Sequence, residues 1–245
     1  MIVDVYLLSM IIVAAGFAAG ILPFFFHWTH VTAHRWIAFG AGTILGVAFI
    51  HMIPQAFEMA GAKSLTAMLF GFLTLYLLEL ASLDHPHDEA KGEFHEIGIL
   101  ALIGIAIHDL VDGVALGSGH HLPELTPAIF VALALHKIPT MFALSLLMVH
   151  GGFRRAKIIV SISAVLLAIP LGVFLAGLLV GRLGESPEIP IGYLISYSAG
   201  TFFYIGAYEL LPEMHRQSGP ESRVGLFFIL GLATMAALKL VHPVI

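Results

Sequence analysis

The chain has 245 residues, of which 59% are hydrophobic and 11% charged, and its formal net charge is −5. A water-soluble domain carries about 25% charged residues. This composition therefore excludes a water-soluble domain and indicates a helical protein embedded in lipid. The few basic residues give no indication of a nucleic-acid partner, and the absence of cysteine excludes disulfides and thiolate metal sites.

Long apolar segments occur at eight places along the chain. A helix needs about 20 apolar residues to cross a bilayer, and strands are disfavoured because these segments do not alternate with polar residues. The first segment lacks the basic stretch of a signal peptide, so we expect it to be retained as a span. The sequence therefore predicts an all-α membrane protein with eight transmembrane helices in a single domain, residues 1–245. The predicted spans are 3–25, 36–58, 64–83, 97–118, 124–149, 156–181, 190–213 and 223–241.

The basic residues of the loops predict the orientation of the chain. Seven Lys and Arg residues fall in the odd-numbered loops or at their borders with the spans, whereas Lys63 and Arg182 fall in the even-numbered loops and Lys239 ends the last span. Because cytoplasmic loops carry an excess of Lys and Arg, we expect the odd loops in the cytoplasm and both termini outside. The third loop, at about 84–96, is rich in His and acid and predicts either a solvated linker or a weak, flexible collector of metal ions. A plasma membrane or a bacterial inner membrane is the expected location.

The fourth and fifth spans both carry ionisable residues near their centres. At an offset of 28 residues their polar positions coincide, so that His108, Asp109 and Asp112 match His136, Lys137 and Thr140. An ionisable residue at the bilayer centre costs about 2.5–3.5 kcal/mol, so each of these positions needs a partner or a function. Residues four apart share a helix face, so two imidazoles and a carboxylate converge if the two faces meet.

The residue types at these positions favour a site for a divalent first-row metal. Imidazole from His108 and His136 and carboxylate from Asp112 suit Zn, Fe and Mn alike. Thr140 would add a weak oxygen ligand, and Asp109 would flank the site. Lys137 needs an anion, so we expect a buried ion pair with Asp109, which does not exclude a metal ion beside it. Hydrogen bonding between helices is the alternative reading of the histidines.

A second internal repeat relates the second and seventh spans, which run in opposite directions. At an offset of 158 residues the triplet AGT at 41–43 matches AGT at 199–201, and a proline follows each triplet at the same distance. Inverted repeats of this kind are common in transporters, with the substrate site near the membrane midplane. The repeat then predicts a polar path for a transported ion, with an entrance at His51 and an exit at Glu209 and Glu213. Helix capping and snorkelling at the helix ends are the alternative explanation of these residues.

The central motifs resemble those of the ZIP (Zrt/Irt-like) metal transporters. HDLVDG, which begins at His108, resembles the family motif H-N-x-x-[D/E]-G, and HKIPTM, which begins at His136, resembles H-E-x-P-H-E. The resemblance implies a divalent-cation importer, typically of zinc, in which helices 1–3 and 6–8 form an inverted repeat around helices 4 and 5. It also implies that a helix bundle moves elevator-like against a scaffold that often dimerises, so we expect a homodimer in membrane lipid.

The resemblance also assigns roles to single residues. His108, Asp112 and His136 stand at primary ligand positions, whereas Thr140 stands where the family often has a second histidine or an acid. Lys137 replaces an acid that helps hold a second metal ion in binuclear members, so we expect one ion. Zinc is the first candidate, and Fe, Mn, Co and Cd also suit these ligands.

Two other classes of protein stay open from the sequence. An intramembrane metal-dependent hydrolase would need a catalytic base beside an open zinc position, and the sequence contains no H-E-x-x-H motif. A haem-binding bundle would use paired histidines on facing helices. No phosphate-binding motif of the form G-x-x-x-x-G-K-[S/T] occurs, which disfavours ATP as a driving force within this chain. The motifs favour a transporter over an enzyme.

Overall fold

Helices separated by short connections make up the described part of this computed structural model, which covers residues 4–83, 93–118, 126–179, 188–212 and 223–241. Six helical segments are long and apolar enough to cross a membrane: Val5–Phe25, His30–Ala60, Ala62–Ala81, Ile99–Ser118, Ile129–His150 and Arg155–Leu178. They coincide with the first six predicted spans. The last two predicted spans are also helical. The prediction of an all-helical integral membrane protein is therefore confirmed for the described residues.

Ten α-helices are described within these ranges. They are α1 (Val5–Ile21), α2 (His30–Gly46), α3 (Ile53–Ala60), α4 (Leu65–Leu83), α5 (Glu93–Ser118), α6 (Thr126–His150), α7 (Arg155–Leu166), α8 (Ala168–Leu179), α9 (Glu188–Phe203) and α10 (Val224–Val241). Polar side chains begin the first two: Asp4 accepts from the backbone N–H of Tyr6, and Thr29 accepts from that of Thr32. Helix α5 begins at Glu93, so the end of the predicted third loop is helical, whereas residues 84–92 lie outside the described chain.

Two π-helical segments lie at equivalent places in the sequence repeat. Val47–Met52 joins α2 to α3, and Tyr204–Leu210 follows α9, each a few residues after the triplet AGT. Pro54 has no N–H, so the carbonyl of Ile50 loses its normal helical donor. The ammonium group of Lys239 on α10 donates to that carbonyl at 2.8 Å. The interruption of the second span is thus stabilised by the last helix.

The helices pack as two groups. In the first group, formed by α1 and α5–α8, the most extensive contacts are those of α5 with α8 and of α1 with α6. In the second group, formed by α2–α4, α9 and α10, they are those of α2 with α10 and of α4 with α9. The groups meet mainly where α2 contacts α6 and where α9 contacts α5. The first group therefore carries the fourth and fifth predicted spans, and the second carries the repeated AGT triplets.

The glycines of the two AGT triplets mark close helix crossings. A Cβ atom on Gly42 would clash with the carbonyl of Phe228 on α10, and one on Gly200 would clash with the carbonyl of Met68 on α4. Small residues allow backbones inside a membrane to approach closely, where the packing of helices depends on van der Waals contact. The triplets thus fix corresponding contacts in the second helix group.

Candidate metal site

The polar residues of the fourth and fifth spans meet in the centre of the molecule. His108 lies near the middle of the apolar segment Ile99–Ser118, and His136 lies within Ile129–His150 on the adjacent helix α6. His108, Asp112 and His136 are buried, with exposed fractions of 1%, 6% and 7%. Polar groups that are buried this deeply in a membrane protein require partners or an ion.

Three potential ligand atoms form a nearly equilateral triangle. The Oδ2 atom of Asp112 lies 3.1 Å from Nε2 of His108 and 3.3 Å from Nε2 of His136. The two Nε2 atoms lie 3.2 Å apart. In a tetrahedral zinc site with bonds of about 2.0–2.1 Å, the ligand atoms lie about 3.3 Å from one another. The triangle therefore has the dimensions of one face of such a tetrahedron, and these residues suit a divalent cation.

The other ring nitrogens of the two histidines have partners that orient the imidazoles. Nδ1 of His136 donates to the carbonyl of Ala132 at 2.9 Å, which places the lone pair on Nε2. Nδ1 of His108 lies 3.1 Å from the hydroxyl of Ser198 on α9, which can accept a hydrogen bond in the same way. Partners of this kind fix the tautomer and the ring orientation of metal-binding histidines. Both Nε2 atoms are therefore directed toward the same point as the Asp112 carboxylate.

Lys137 lies behind the triangle, and its ammonium group bonds both carboxylates. Its Nζ atom donates to Oδ1 of Asp109 at 2.5 Å and to Oδ2 of Asp112 at 3.1 Å. The structure thus contains the ion pair between Lys137 and Asp109 that the sequence predicts, and both residues are fully buried. Oδ2 of Asp109 has no hydrogen-bond partner among the described residues. With both carboxylates ionised, they and the ammonium would carry one net negative charge, which a divalent cation would offset.

A cavity of about 70 Å³ connects the triangle with the second helix group. His51 and Gln55 line it on the second span, and Met235 lines it on α10. Nε2 of His51 donates to the carbonyl of Met235 at 3.0 Å, so His51 lies beside the path to the triangle and outside the three-residue cluster.

The cavity extends toward one end of the molecule. From the triangle its lining runs toward the later residues of the second span, the earlier residues of α6 and the last turns of α10. On the opposite side the buried apolar residues Ile44, Ile105 and Leu144 lie between α2, α5 and α6. The cavity, in which His51 and Gln55 are polar members of a largely apolar lining, therefore reaches the triangle from one side, and buried apolar side chains lie on the other.

The other predicted site residues, Thr140, Glu209 and Glu213, are not part of the triangle. The hydroxyl of Thr140 donates to the carbonyl of His136 at 2.8 Å, one turn earlier on the same helix, and Thr140 does not line the cavity. Glu209 belongs to the π-helical segment after α9, but its side chain is outside the described part. Glu213 lies outside the described residues altogether.

Three further residues contribute to the site and were not predicted from the sequence. Ser198 bonds His108, and the ring of Phe202 lies 4.0 Å from the His108 ring, centroid to centroid. The carbonyl of Met235 accepts from His51. The position of Ser198 directly before the second AGT triplet is a weak signal, whereas a backbone carbonyl such as that of Met235 has no signal in a sequence.

Comparisons with known proteins agree with this architecture. The family model of the ZIP zinc transporters matches residues 81–239, which include α5 to α9 and nearly all of α10. Zinc transporter ZIP9-B of Xenopus laevis is 24% identical over 257 aligned residues, which cover 86% of this chain and 85% of the relative. Zinc transporter 3 of Arabidopsis thaliana is 24% identical over 244 residues, which cover 82% and 72%. Zinc transporter ZIP9 of Macaca fascicularis is 30% identical over 117 residues, which cover 46% and 50%.

These relatives are named as transporters and not as enzymes, which disfavours the hydrolase alternative. The matched region contains all the members of the His108, Asp112 and His136 triangle and the ion pair behind it. Since the family model matches more than half of the chain, this protein belongs to the ZIP zinc transporter family.

Proposed function

We propose that this protein transports divalent cations, with zinc as the first substrate, through a single site formed by His108, Asp112 and His136. The triangle of ligand atoms carries this proposal, because its edges of 3.1–3.3 Å match a tetrahedral zinc site and two neighbouring helices supply it within membrane-crossing segments. The relatives named as zinc transporters support the choice of zinc. Fe, Mn, Co and Cd are further substrates that such ligands accept.

The direction that we propose is import toward the cytoplasm. The cavity runs toward the end of the molecule where the second span and α10 end and where α6 begins. The distribution of Lys and Arg among the loops assigns this end to the outside. A hydrated ion would enter past His51, lose water and bind the triangle. It would leave past Glu209 and Glu213 toward the histidines of the loop at about 84–96.

The residues around the triangle have separate roles in this proposal. The Nε2 atoms of His108 and His136 and the carboxylate of Asp112 bind the ion, and water from the cavity completes the coordination. Lys137 holds Asp112 and Asp109 in place and contributes the positive charge that makes a second metal ion unfavourable. Thr140 supports the helix through its bond to the carbonyl of His136. Because protons compete with metal for these ligands, we expect acid to weaken uptake.

Alternating access is proposed to be elevator-like, with the first helix group moving against the second. The helix contacts support this proposal because they occur in pairs that an inverted repeat would relate. The packing of α5 on α8 is matched by that of α6 on α1. The packing of α2 on α10 is matched by that of α9 on α4. This correspondence is expected if helices 1–3 and 6–8 form an inverted repeat around helices 4 and 5. The proposal treats residues 1–245 as one transport domain with eight spans and outside termini. It extends to a homodimer in the lipid of a plasma or bacterial inner membrane.

Zinc uptake into proteoliposomes tests the proposal. We expect uptake by the parent protein and background uptake by His108→Ala, because two ligands are insufficient to bind the ion. His27→Ala is the matched control, since His27 is an exposed histidine between α1 and α2. Normal uptake by a monodisperse His108→Ala protein would refute the site. Competition of the zinc flux by Fe, Mn, Co and Cd would rank the substrates.

A further inference from the structure

We propose that His30, His34 and His150 form a second site for a divalent first-row cation and that this site joins the two helix groups. One ring nitrogen from each of these histidines lies within 4.8 Å of the others. The sequence separates His150 from the other two by more than 100 residues. Their meeting is therefore a product of the tertiary structure, and it lies apart from the triangle around Asp112.

The three imidazoles are arranged as a compact cluster. His30 and His34 are four residues apart in the first turns of α2, and their rings stack with centroids 4.1 Å apart. The ring of His150, the last residue of α6, lies 5.2 Å from the first ring and 4.9 Å from the second. Two histidines at this spacing on one helix face are a recurring arrangement in zinc sites. His150 supplies the third ligand from the facing helix.

Side-chain rotations, chiefly of the stacked His30 ring, would close the cluster around an ion. Ligand atoms of a tetrahedral zinc site lie about 3.3 Å apart, so spacings of at most 4.8 Å must shrink by no more than about 1.5 Å. His30 is exposed and is the first residue of α2, so its ring has room to turn away from the buried His34 ring on which it stacks. Nδ1 of His34 donates to the carbonyl of His30 at 2.7 Å, which places the lone pair of the His34 ring on Nε2.

The ligand set defines the class of ion. Three imidazoles without a carboxylate favour Zn, Co, Ni and Cu over Mg and Ca, which prefer oxygen ligands. Three histidines and one water form a familiar zinc coordination. The exposure of His30 leaves room for that water. The charge-poor set also differs from the central triangle, where a carboxylate and a neighbouring ion pair take part.

The location of this site suggests a regulatory role. His34 precedes His51 by 17 residues, the difference between 51 and 34, which is about 25 Å along a helix. The cluster therefore lies at the end of the molecule opposite the cavity. His30 and His34 belong to the second helix group and His150 to the first, so a bound ion would tie the groups together. Resting on the proposed transport function, we infer that ions accumulating at this end restrain the movement of the first group.

Metal titration of purified protein tests the site without any measurement of transport. In the His108→Ala background, which lacks the central site, we expect Co²⁺ to bind with the visible absorption of tetrahedral coordination. Adding His30→Ala or His150→Ala should abolish that absorption, whereas adding His27→Ala, an exposed histidine outside the cluster, should preserve it. Equal spectra for the His30→Ala and His27→Ala proteins would overturn the site. Loss with His30→Ala but not with His150→Ala would overturn the bridge between groups.

Zinc uptake into vesicles preloaded with zinc tests the regulatory role. We expect the preload to slow uptake by the parent and by His27→Ala several-fold more than uptake by His30→Ala. Equal inhibition of all three proteins would overturn the restraint. If the parent shows no flux at all, the proposed transport function fails, while the cobalt titration still decides whether the second site exists.

Discussion

The central triangle and the end cluster of His30, His34 and His150 each bring together three ligand residues. They differ in burial and in how firmly the surrounding protein holds the ligands. The triangle is buried, its ligand atoms lie 3.1–3.3 Å apart, and both of its helices belong to the first group. The end cluster spans two groups, its nitrogens lie up to 4.8 Å apart, and His30 is exposed. Similar side chains thus form a preorganised site in one place and an adaptable one in the other.

The difference is explained by what surrounds each set of ligands. Ser198 and the carbonyl of Ala132 orient the two central imidazoles, and Lys137 holds the carboxylate between them. These groups are buried, so they depend on bonds to one another and to neighbouring protein groups. At the end cluster, solvent can reach His30 and its ring can rotate. Hydrogen-bond partners beyond the ligands therefore decide how well a site is preorganised for an ion.

The largest expected effect is a loss of stability when the carboxylates at the triangle lose the positive charge of Lys137. Replacing Lys137 with Met leaves Asp109 and Asp112 buried without their cation, and we expect a loss of about 3–5 kcal/mol of stability. Denaturation in detergent, followed by circular dichroism, measures this loss. The double variant Lys137→Met with Asp109→Leu removes the pair together and should recover part of it. Unchanged stability of Lys137→Met would show that the ammonium does not support the fold.

The second prediction compares the two sites directly by their affinity for zinc. His30→Ala retains the triangle and His108→Ala retains the end cluster. We expect the triangle to bind zinc about 100-fold more tightly, because outer partners typically contribute 10–100-fold each. Competition with a zinc chelator of known affinity measures both constants. Equal affinities would break the distinction between a preorganised and an adaptable site.

The third prediction isolates a single outer partner. Ser198→Ala removes the hydroxyl beside Nδ1 of His108, and we expect about 10-fold weaker zinc binding because the ring loses an orienting bond. Ser196→Ala is the control, since its buried hydroxyl has no hydrogen-bond partner among the described residues. The stability of both variants should stay close to that of the parent. A matching loss of affinity in both would assign the effect to packing instead.

The smallest expected effect concerns Thr140. Thr140→Val keeps the shape of the side chain and removes a hydroxyl that donates to its own helix, so zinc uptake should stay within about twofold. Uptake by proteoliposomes at several zinc concentrations measures it. A loss of uptake comparable to that of His108→Ala would establish Thr140 as a ligand and would enlarge the triangle to four residues.

Much of the architecture could be predicted because it depends on local patterns. Apolar length located the helices, and the i, i+4 spacing placed His108 and Asp112 on one face of α5. The need of a buried ammonium for an anion predicted the bond between Lys137 and Asp109, which the structure contains. The start of α5 at Glu93 was missed because polar residues extend that helix beyond its apolar segment.

Sequence alone determined which residue types lie within the membrane and which of them share a helix face, because both follow from composition and helical period. Tertiary structure decided which faces meet. The bond from Ser198 to His108, that from His51 to the carbonyl of Met235, and the meeting of His150 with α2 each join distant parts of the chain. They depend on the depth and rotation at which helices cross, which glycines such as Gly42 and Gly200 set through backbone contact that no single helix pattern contains.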